Sequence, residues 1–351
     1  MNTKILCTIG PACDTEDKMR ELIKAGMRVA RLNCSHGTND QRRKTVAILK
    51  RLRKEMDVPD LKIMWDTKGP EIRIGRFGDA FEKTGKNGFV DLKEGQMFTF
   101  HVNPVAGDIK GVSVNYARFA EVVGKGQELL LNDGMIKMVV ESKTNDTVTA
   151  RVLNCGVLSD RKSLFVPGCD LQLPFISDAD RIDFEAACEV DPDWVAISFV
   201  GSAQDVRDVR ALLAKHGKSY PIMGKVESVC GIENIDEILK VIDGIVVARG
   251  DLGVEYPVEQ VPPLQKMLIE KTRKAGKISI NATEMLESMI EKPRPTRAET
   301  TDIANSVWDG AQYVWLSGET AMGKFPVLCV QYMARICAEA EKYLAQYGRK
   351  Y

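Results

Sequence analysis

Eight short apolar runs, rich in β-branched residues, recur along this chain between stretches of helical periodicity: KILCTIG, MRVARLN, LKIMWDT, DWVAISFV, PIMGKVE, GIVVARGD, KISINATE and YVWLSGE. Their hydrophobicity is continuous rather than alternating, which marks strands buried on both faces, as in a parallel sheet covered by helices. The segments between them supply the helices. DTEDKMRELIKAG opens with acids and ends at Gly26, SAQDVRDVRALLAKHG starts at a Ser cap and ends at Gly217, and GIENIDEILKVIDG keeps Ile and Leu at helical spacing. Eight strand-helix units predict an α/β fold, a closed (β/α)8 TIM barrel. The long helical stretch FPVLCVQYMARICAEAEKYLAQYG supplies its last helix.

The rhythm breaks once, after DTKGPEIRIG. From about residue 74 to 168 the chain shows short alternating pieces separated by turn signals, with Asp133-Gly134 as a hairpin pair. This predicts a small all-β domain, a β-barrel lid inserted after the third strand, with residues 1–73 and 169–351 left for the barrel. Subtracting the insertion from the 351 residues leaves close to the ~250 typical of such a barrel.

Charge narrows the partners. The 49 basic and 49 acidic side chains cancel, so no net field favours nucleic acid or an anionic membrane, and an anionic ligand must be gripped locally. The nine cysteines form no Cys-x-x-Cys pair, and Cys7, Cys34 and Cys188 fall inside apolar segments, where a free thiol acts as a small hydrophobe. With no signal-peptide pattern and no run of membrane-span length, a cytoplasmic chain without a membrane span is expected.

Barrel active sites sit at the C-terminal ends of the strands, so the residues just past each apolar run are informative. Strand two ends in Arg31, Asn33, Ser35 and His36, strand three in Asp66 and Thr67, strand four in Ser198, and strand five in Lys225 and Glu227. Strand six ends in Arg249, Gly250 and Asp251, strand seven in Asn281 and Thr283. Residues two apart, such as Arg31 and Asn33 or Lys225 and Glu227, share a face and point together into the barrel mouth. Glu227 and Asp251 are hard oxygen ligands suited to Mg2+ or Mn2+. Lys225 and Arg31 offer a point charge and a bidentate fork for a phosphoryl group. Asn33, Ser35, Asp66 and Thr67 suit a monovalent or secondary cation. Together these groups describe phosphoryl transfer on a small acid.

Other features carry less. GETAMGKF matches the spacing of a phosphate-binding loop, but Phe325 stands where a metal-binding Ser or Thr is required. Cys34 beside His36 is read as a buried structural thiol, and Trp65, Trp194, Trp308 and Trp315 as core residues.

The segments KILCTIGPA, RLNCSHG, DTKGPEIR, GKVES, VARGDLGVE, ATEMLESM, RPTRAETTDIANSVWDGA and LSGETAMG, in this order, resemble the pyruvate kinase family from end to end. The resemblance implies transfer of the phosphoryl group of phosphoenolpyruvate to ADP, giving pyruvate and ATP, with Mg2+ or Mn2+ and K+ as cofactors. It implies metal ligation by Glu227 and Asp251, a potassium site at Asn33, Ser35, Asp66 and Thr67, and phosphoryl stabilisation by Lys225 and Arg31. Ala248, Arg249, Gly250 and Asp251 would receive the substrate, the first three through the backbone, and Thr283 would lie beside the enolpyruvate face. Asn33, His36, Arg73 and Lys162 would serve the nucleotide. Glu71 places the chain with the potassium-dependent members, and the helix in RPTRAETTDIANSV resembles a subunit-contact segment, implying a homo-oligomer, with a dimer expected.

Against the family pattern, the chain stops near the last barrel helix, where members usually continue into a C-terminal α/β domain; absence of sugar-phosphate effector control is therefore expected. Glu284 stands for the usual Gln, Asn281 for a small residue or Cys, and RKSLFVPG departs from its usual pattern at Ser163 and Phe165. The absent domain and the altered RKSLFVPG segment leave one alternative, a phosphoenolpyruvate-binding regulatory protein with little activity; a carboxylate-held metal, which also suits an enolate, leaves another, a metal-dependent pyruvate-enolate aldolase.

Overall fold

All eight expected strands form. They are β1 (Lys4–Thr8), β2 (Met27–Asn33), β3 (Lys62–Asp66), β4 (Trp194–Ile197), β5 (Ile222–Val226), β6 (Gly244–Ala248), β7 (Ile278–Ala282) and β8 (Tyr313–Leu316). Each pairs in parallel with its neighbours in order, and β8 pairs with β1, which closes the barrel. The computed structural model describes residues 2–78, 87–168, 171 and 173–348. The chain divides into two units, Met1–Gly69 with Phe175–Leu252 and Glu259–Tyr351, and Pro70–Pro174 with Gly253–Val258.

Alternation along the strands sets the two cores of the first unit. Leu6, Val29, Met64, Trp194, Met223, Val246, Ile280 and Trp315 pack into the barrel interior. The residues between them, such as Ile5, Cys7, Ala30, Ile63, Trp65 and Val314, face the surrounding helices. Both faces are apolar because both are covered, which is why the runs read as continuous.

The helices are α1 (Glu16–Ala25), α2 (Asn39–Glu55), α3 (Asp178–Val190), α4 (Ala203–Lys215), α5 (Arg249–Glu255), α6 (Val261–Lys274), α7 (Arg297–Asp309) and α8 (Pro326–Tyr347). Local chemistry bounds them. Thr15 caps α1, whose chain leaves through Gly26 at φ 127, and the Ser202 and Thr296 capping boxes start α4 and α7. The expected single helix in GIENIDEILKVIDG is instead two short ones, Val229–Glu233 and Ile235–Leu239, joined at Asn234. Asn234 sits at φ −96 and ψ 10, and its side-chain amide donates to the Gly201 carbonyl at 2.8 Å, a tertiary partner that holds the break.

Trp65, Trp194 and Trp315 are buried as expected, but Trp308 is 37% exposed. It lies on the outer side of α7, where its indole N–H donates to the Ala340 carbonyl of α8 at 3.2 Å and its ring meets Tyr343; an amphipathic Trp can anchor a helix pair without entering a core. Among the described residues none of the eight cysteines is in a disulfide, and Cys169 lies outside them. No helix among the described residues is long and apolar enough to cross a membrane.

The second unit is built on β structure. Its described residues pair as a six-stranded sheet and a two-stranded ribbon, Phe89–Leu92 with Gly156–Ser159, rather than as a closed ring of strands. The Asp133-Gly134 signal marks a hairpin between Glu128–Leu131 and Ile136–Lys143, with Asn132, Asp133 and Gly134 all at positive φ. One helical turn, Phe119–Val122, packs into the core of this unit.

Candidate active site

Arg31, Asp66, Ser198 and Lys225 each stand two residues beyond an interior core residue, Val29, Met64, Ala196 and Met223 respectively. Period-two alternation therefore aims all four into the mouth of the barrel at the C-terminal strand ends. Asp66, fully buried at the end of β3, is the centre of the cluster. Its Oδ2 accepts from Arg31 Nε at 2.8 Å and lies 2.6 Å from Arg31 Nη2, a charge-assisted pair, with Lys225 Nζ 3.9 Å away. The Arg31 guanidinium also lies over the Trp315 ring, 5.0 Å from its centroid.

Lys225 Nζ lies 2.9 Å from Glu227 Oε1 and donates to the Ser198 hydroxyl at 2.9 Å. That hydroxyl in turn donates to the Thr67 carbonyl at 2.8 Å. Burial works to lower the pKa of Lys225, but the carboxylates of Asp66, Glu227 and Asp251 outweigh both that and the repulsion of Arg31, so the ammonium is held above its ordinary value. It is a permanent positive charge, not a base.

Two carboxylate oxygens here carry no hydrogen bond. Asp66 Oδ1 is buried without a partner, and Glu227 Oε1 meets Lys225 as an ion pair without hydrogen-bond alignment. The other Glu227 oxygen accepts the Phe199 N–H at 2.7 Å, with Phe199 held at φ 56. Buried anionic oxygens without donors are what cations satisfy. The hard oxygens of Glu227 and Asp251 suit a divalent ion that keeps waters and takes substrate oxygens; among the described residues no group of three or more His, Cys, Asp or Glu could hold a metal by itself. Asp66 fits a second cation, with Asn33 as its register neighbour on β2. Asn33 Oδ1 accepts the Ser35 N–H at 3.0 Å, and the Thr67 hydroxyl donates to the Ala196 carbonyl at 3.3 Å.

Thr283, just past β7, has φ 76 and is followed by Glu284 at φ 55. A β-branched residue in the left-handed region is a strained outlier of the kind that gathers at functional sites. Gly250, after β6, is its neighbour: a Cβ on Gly250 would come within 2.9 Å of Thr283 Cγ2. Ala248 ends β6, and Asp251 lies in the first turn of α5. Glu284 is exposed, and its charge helps raise the carboxyl of Glu287, for which burial is the main cause.

Asn281 is not in the mouth. It falls between the interior residues Ile280 and Ala282, so it faces outward, where its amide donates to Ser306 of α7 at 2.7 Å and Gln265 of α6 at 3.2 Å. A one-residue shift in a strand reverses the face. His36 is exposed, its carbonyl accepting from Arg42. Cys34 is 1% exposed, and burial pushes its thiol well above the ordinary value, as expected of a structural thiol.

Arg73 and Lys162 belong to the second unit. Arg73 Nε pairs with Glu71 at 2.8 Å, and Lys162 Nζ lies 3.8 Å from Asp133. Ser163, one of the departures at RKSLFVPG, donates to the other Glu71 oxygen, so that departure holds Glu71 in place.

Two supports of the site gained their roles only from the structure. Ser198, marked in the sequence only as a polar strand exit, links Lys225 to Thr67. Arg42 of α2, only 7% exposed, donates to the carbonyls of Asn33 at 3.1 Å and His36, and to Asn39 Oδ1 at 2.7 Å, and stacks on Trp65. It fastens the loop carrying Asn33, Ser35 and His36, and nothing in the local sequence marks it as buried.

The family model described as pyruvate kinase, barrel domain, matches residues 1–330. Pyruvate kinase of Clostridium perfringens is 42% identical over 97% of this chain and 70% of its own length. That of Leishmania mexicana is 43% identical over 98% of this chain and 68% of its own, and that of Geobacillus stearothermophilus 43% over 97% and 57%. The chain thus spans between about half and three quarters of the length of these relatives.

Proposed function

The chain belongs to the pyruvate kinase family, and from that premise we propose how its barrel mouth carries the transfer of the phosphoryl group of phosphoenolpyruvate to ADP. The observation that supports the reading most is the placement of Lys225, a fixed ammonium among Glu227, Asp66 and Asp251 with Arg31 alongside. Catalysis of phosphoryl transfer is mostly positioning and electrostatics, and this cluster provides both. Lys225 and Arg31 hold the transferring group, Lys225 acting most strongly on the charge it carries between donor and acceptor.

Glu227 and Asp251 hold Mg2+ or Mn2+ in this proposal, and Asn33, Ser35, Asp66 and Thr67 hold K+. Bound there, the two ions would neutralise charge on the phosphoryl and carboxylate oxygens. Ala248, Arg249 and Gly250 present their backbone, and Asp251 its carboxylate side, to the substrate. Thr283 lies beside the methylene carbon of enolpyruvate, where a proton must arrive to give pyruvate. Asn33, His36, Arg73 and Lys162 serve the nucleotide. A cytoplasmic location fits cysteines that form no disulfide among the described residues, and a homodimer through α7 completes the proposal; light scattering that returned a monomer mass would reject the dimer.

The test is formation of pyruvate and ATP, coupled to lactate dehydrogenase, with each cation withheld in turn. Turnover that needs both Mg2+ and K+ is expected. Absence of turnover at saturating phosphoenolpyruvate and ADP with both ions present would reject the assignment, and binding without turnover would identify a phosphoenolpyruvate-binding regulatory protein instead.

A further inference from the structure

Arg249 opens α5 beside the substrate, yet its side chain turns away from the mouth. An arginine has five N–H donors, and here each meets an acceptor inside the barrel wall. Nε donates to the Ala282 carbonyl at 3.1 Å. Nη2 donates to the Thr283 carbonyl at 2.6 Å and to the Met285 sulfur at 3.0 Å. Nη1 donates to Asp302 Oδ1 at 2.7 Å and to Gln265 Oε1 at 3.2 Å. The side chain is 13% exposed. No donor is left over for a carboxylate or phosphate.

The two carbonyls it holds flank the place where β7 ends and Thr283 turns to φ 76. That conformation is unfavourable for a β-branched residue and persists only where the surroundings over-determine it. The guanidinium holds the carbonyls on one side of that turn, and on the other Gly250 leaves the room that Thr283 Cγ2 occupies. Asp302 and Gln265 fix the guanidinium in turn, Asp302 from α7 and Gln265 from α6, where Gln265 also donates to Asp309 at 3.2 Å. Truncation of Arg249 would take a donor from both carbonyls and its charge partner from Asp302.

We propose that Arg249 is a positioning residue for proton delivery: its side chain holds Thr283 in the left-handed conformation that sets its hydroxyl at the enolpyruvate face. The inference rests on the role proposed above for Thr283. It separates two halves of the reaction, because Lys225 and Arg31 govern phosphoryl transfer from other strands while Arg249 acts on the step in which a solvent-derived proton joins the methylene carbon. A displaced Thr283 slows that step without loosening the substrate.

The experiment reads the proton step alone, as deuterium exchange into the methyl group of pyruvate in D2O with ATP, Mg2+ and K+, followed by NMR. Arg249→Gln is expected to slow exchange on the order of tenfold to a hundredfold while the dissociation constant for phosphoenolpyruvate, by calorimetry, moves by less than about threefold. Arg249→Lys, which keeps a charge but cannot fork, falls between. Exchange in folded Arg249→Gln within about threefold of the parent would overturn the proposal, as would weakening of phosphoenolpyruvate binding in step with exchange, which would mean direct substrate contact. If Arg249→Gln does not fold, Asp302→Asn decides: it removes the charge that aims the guanidinium at both carbonyls, so slowed exchange with intact binding supports the proposal and unchanged exchange rejects it. Thr283→Val tests the underlying reading separately, since normal exchange there would remove Thr283 from the proton step whatever Arg249 does.

Discussion

Lys225 Nζ stands 2.9 Å from Glu227 Oε1, an ammonium and a carboxylate two positions apart on one exit from β5, both facing the barrel mouth. The pair is not satisfied by itself. Lys225 is also drawn by Asp66 and Asp251, and Glu227 Oε1 is left without an aligned hydrogen bond. A carboxylate held this way has capacity for a metal ion, and an ammonium held this way has capacity for a phosphoryl oxygen.

Replacement of Lys225 by Met should therefore lower kcat far more than substrate affinity, since its charge acts on the group in transfer. A loss of about a hundredfold to a thousandfold is expected, the usual scale for one preorganised charge. Steady-state rates together with calorimetric binding of phosphoenolpyruvate check it; an unchanged kcat would end the assignment.

Glu227→Gln keeps the Phe199 N–H contact sterically available but removes the formal charge from the metal side. Binding of Mn2+ to the protein, followed by electron paramagnetic resonance, should weaken by roughly tenfold to a hundredfold. The readout does not depend on turnover, and Mn2+ bound as tightly as in the parent would place the ion elsewhere.

Arg42 predicts a different phenotype. Arg42→Met preserves the stem that lies against Trp65 but releases the carbonyls of Asn33 and His36. The concentration of K+ giving half-maximal rate should rise several-fold, on the order of 1 kcal/mol or more in effective binding, while rates at saturating K+ recover. A uniform loss at all K+ concentrations would show general damage instead of a loosened loop.

Burial raises the carboxyl of Glu255 to about 7. With a folded-state pKa above that of the unfolded chain, its contribution to stability is fully present below the unfolded value and is lost as pH rises through about 7. Glu255→Gln should accordingly melt higher than the parent at pH 8, by on the order of 2–4 °C, with the difference shrinking toward pH 5. A difference that did not depend on pH would contradict the buried-carboxyl reading.

Much of the site was legible in one dimension. Val29, Arg31 and Asn33, or Met223, Lys225 and Glu227, show an apolar interior residue followed at period two by charge, and that pattern alone aims the side chains into the mouth. Asn281 shows the limit of reasoning by exits: it stands at a strand end like the others, but its parity with Ile280 turns it to the helices. Arg249 shows another, because the backbone position beside the substrate said nothing of a guanidinium consumed by five contacts inside the wall. GIENIDEILKVIDG broke at Asn234 because its amide found the Gly201 carbonyl, a partner 33 residues away.

Periodicity and local chemistry sufficed for the eight strands, their two-sided burial, the caps that bound α1 and α4, the hairpin at Asp133-Gly134 and the family. Those rest on interactions within a few residues of one another, which a linear pattern can carry. Folding in three dimensions was needed to set Asp66 between Arg31 and Lys225, to bring Ser198 under the ammonium, and to let Arg249 grip Thr283. Those depend on the barrel closing, which brings side chains from separate strands to within 4 Å, where electrostatics depends on distance and burial rather than on separation along the chain.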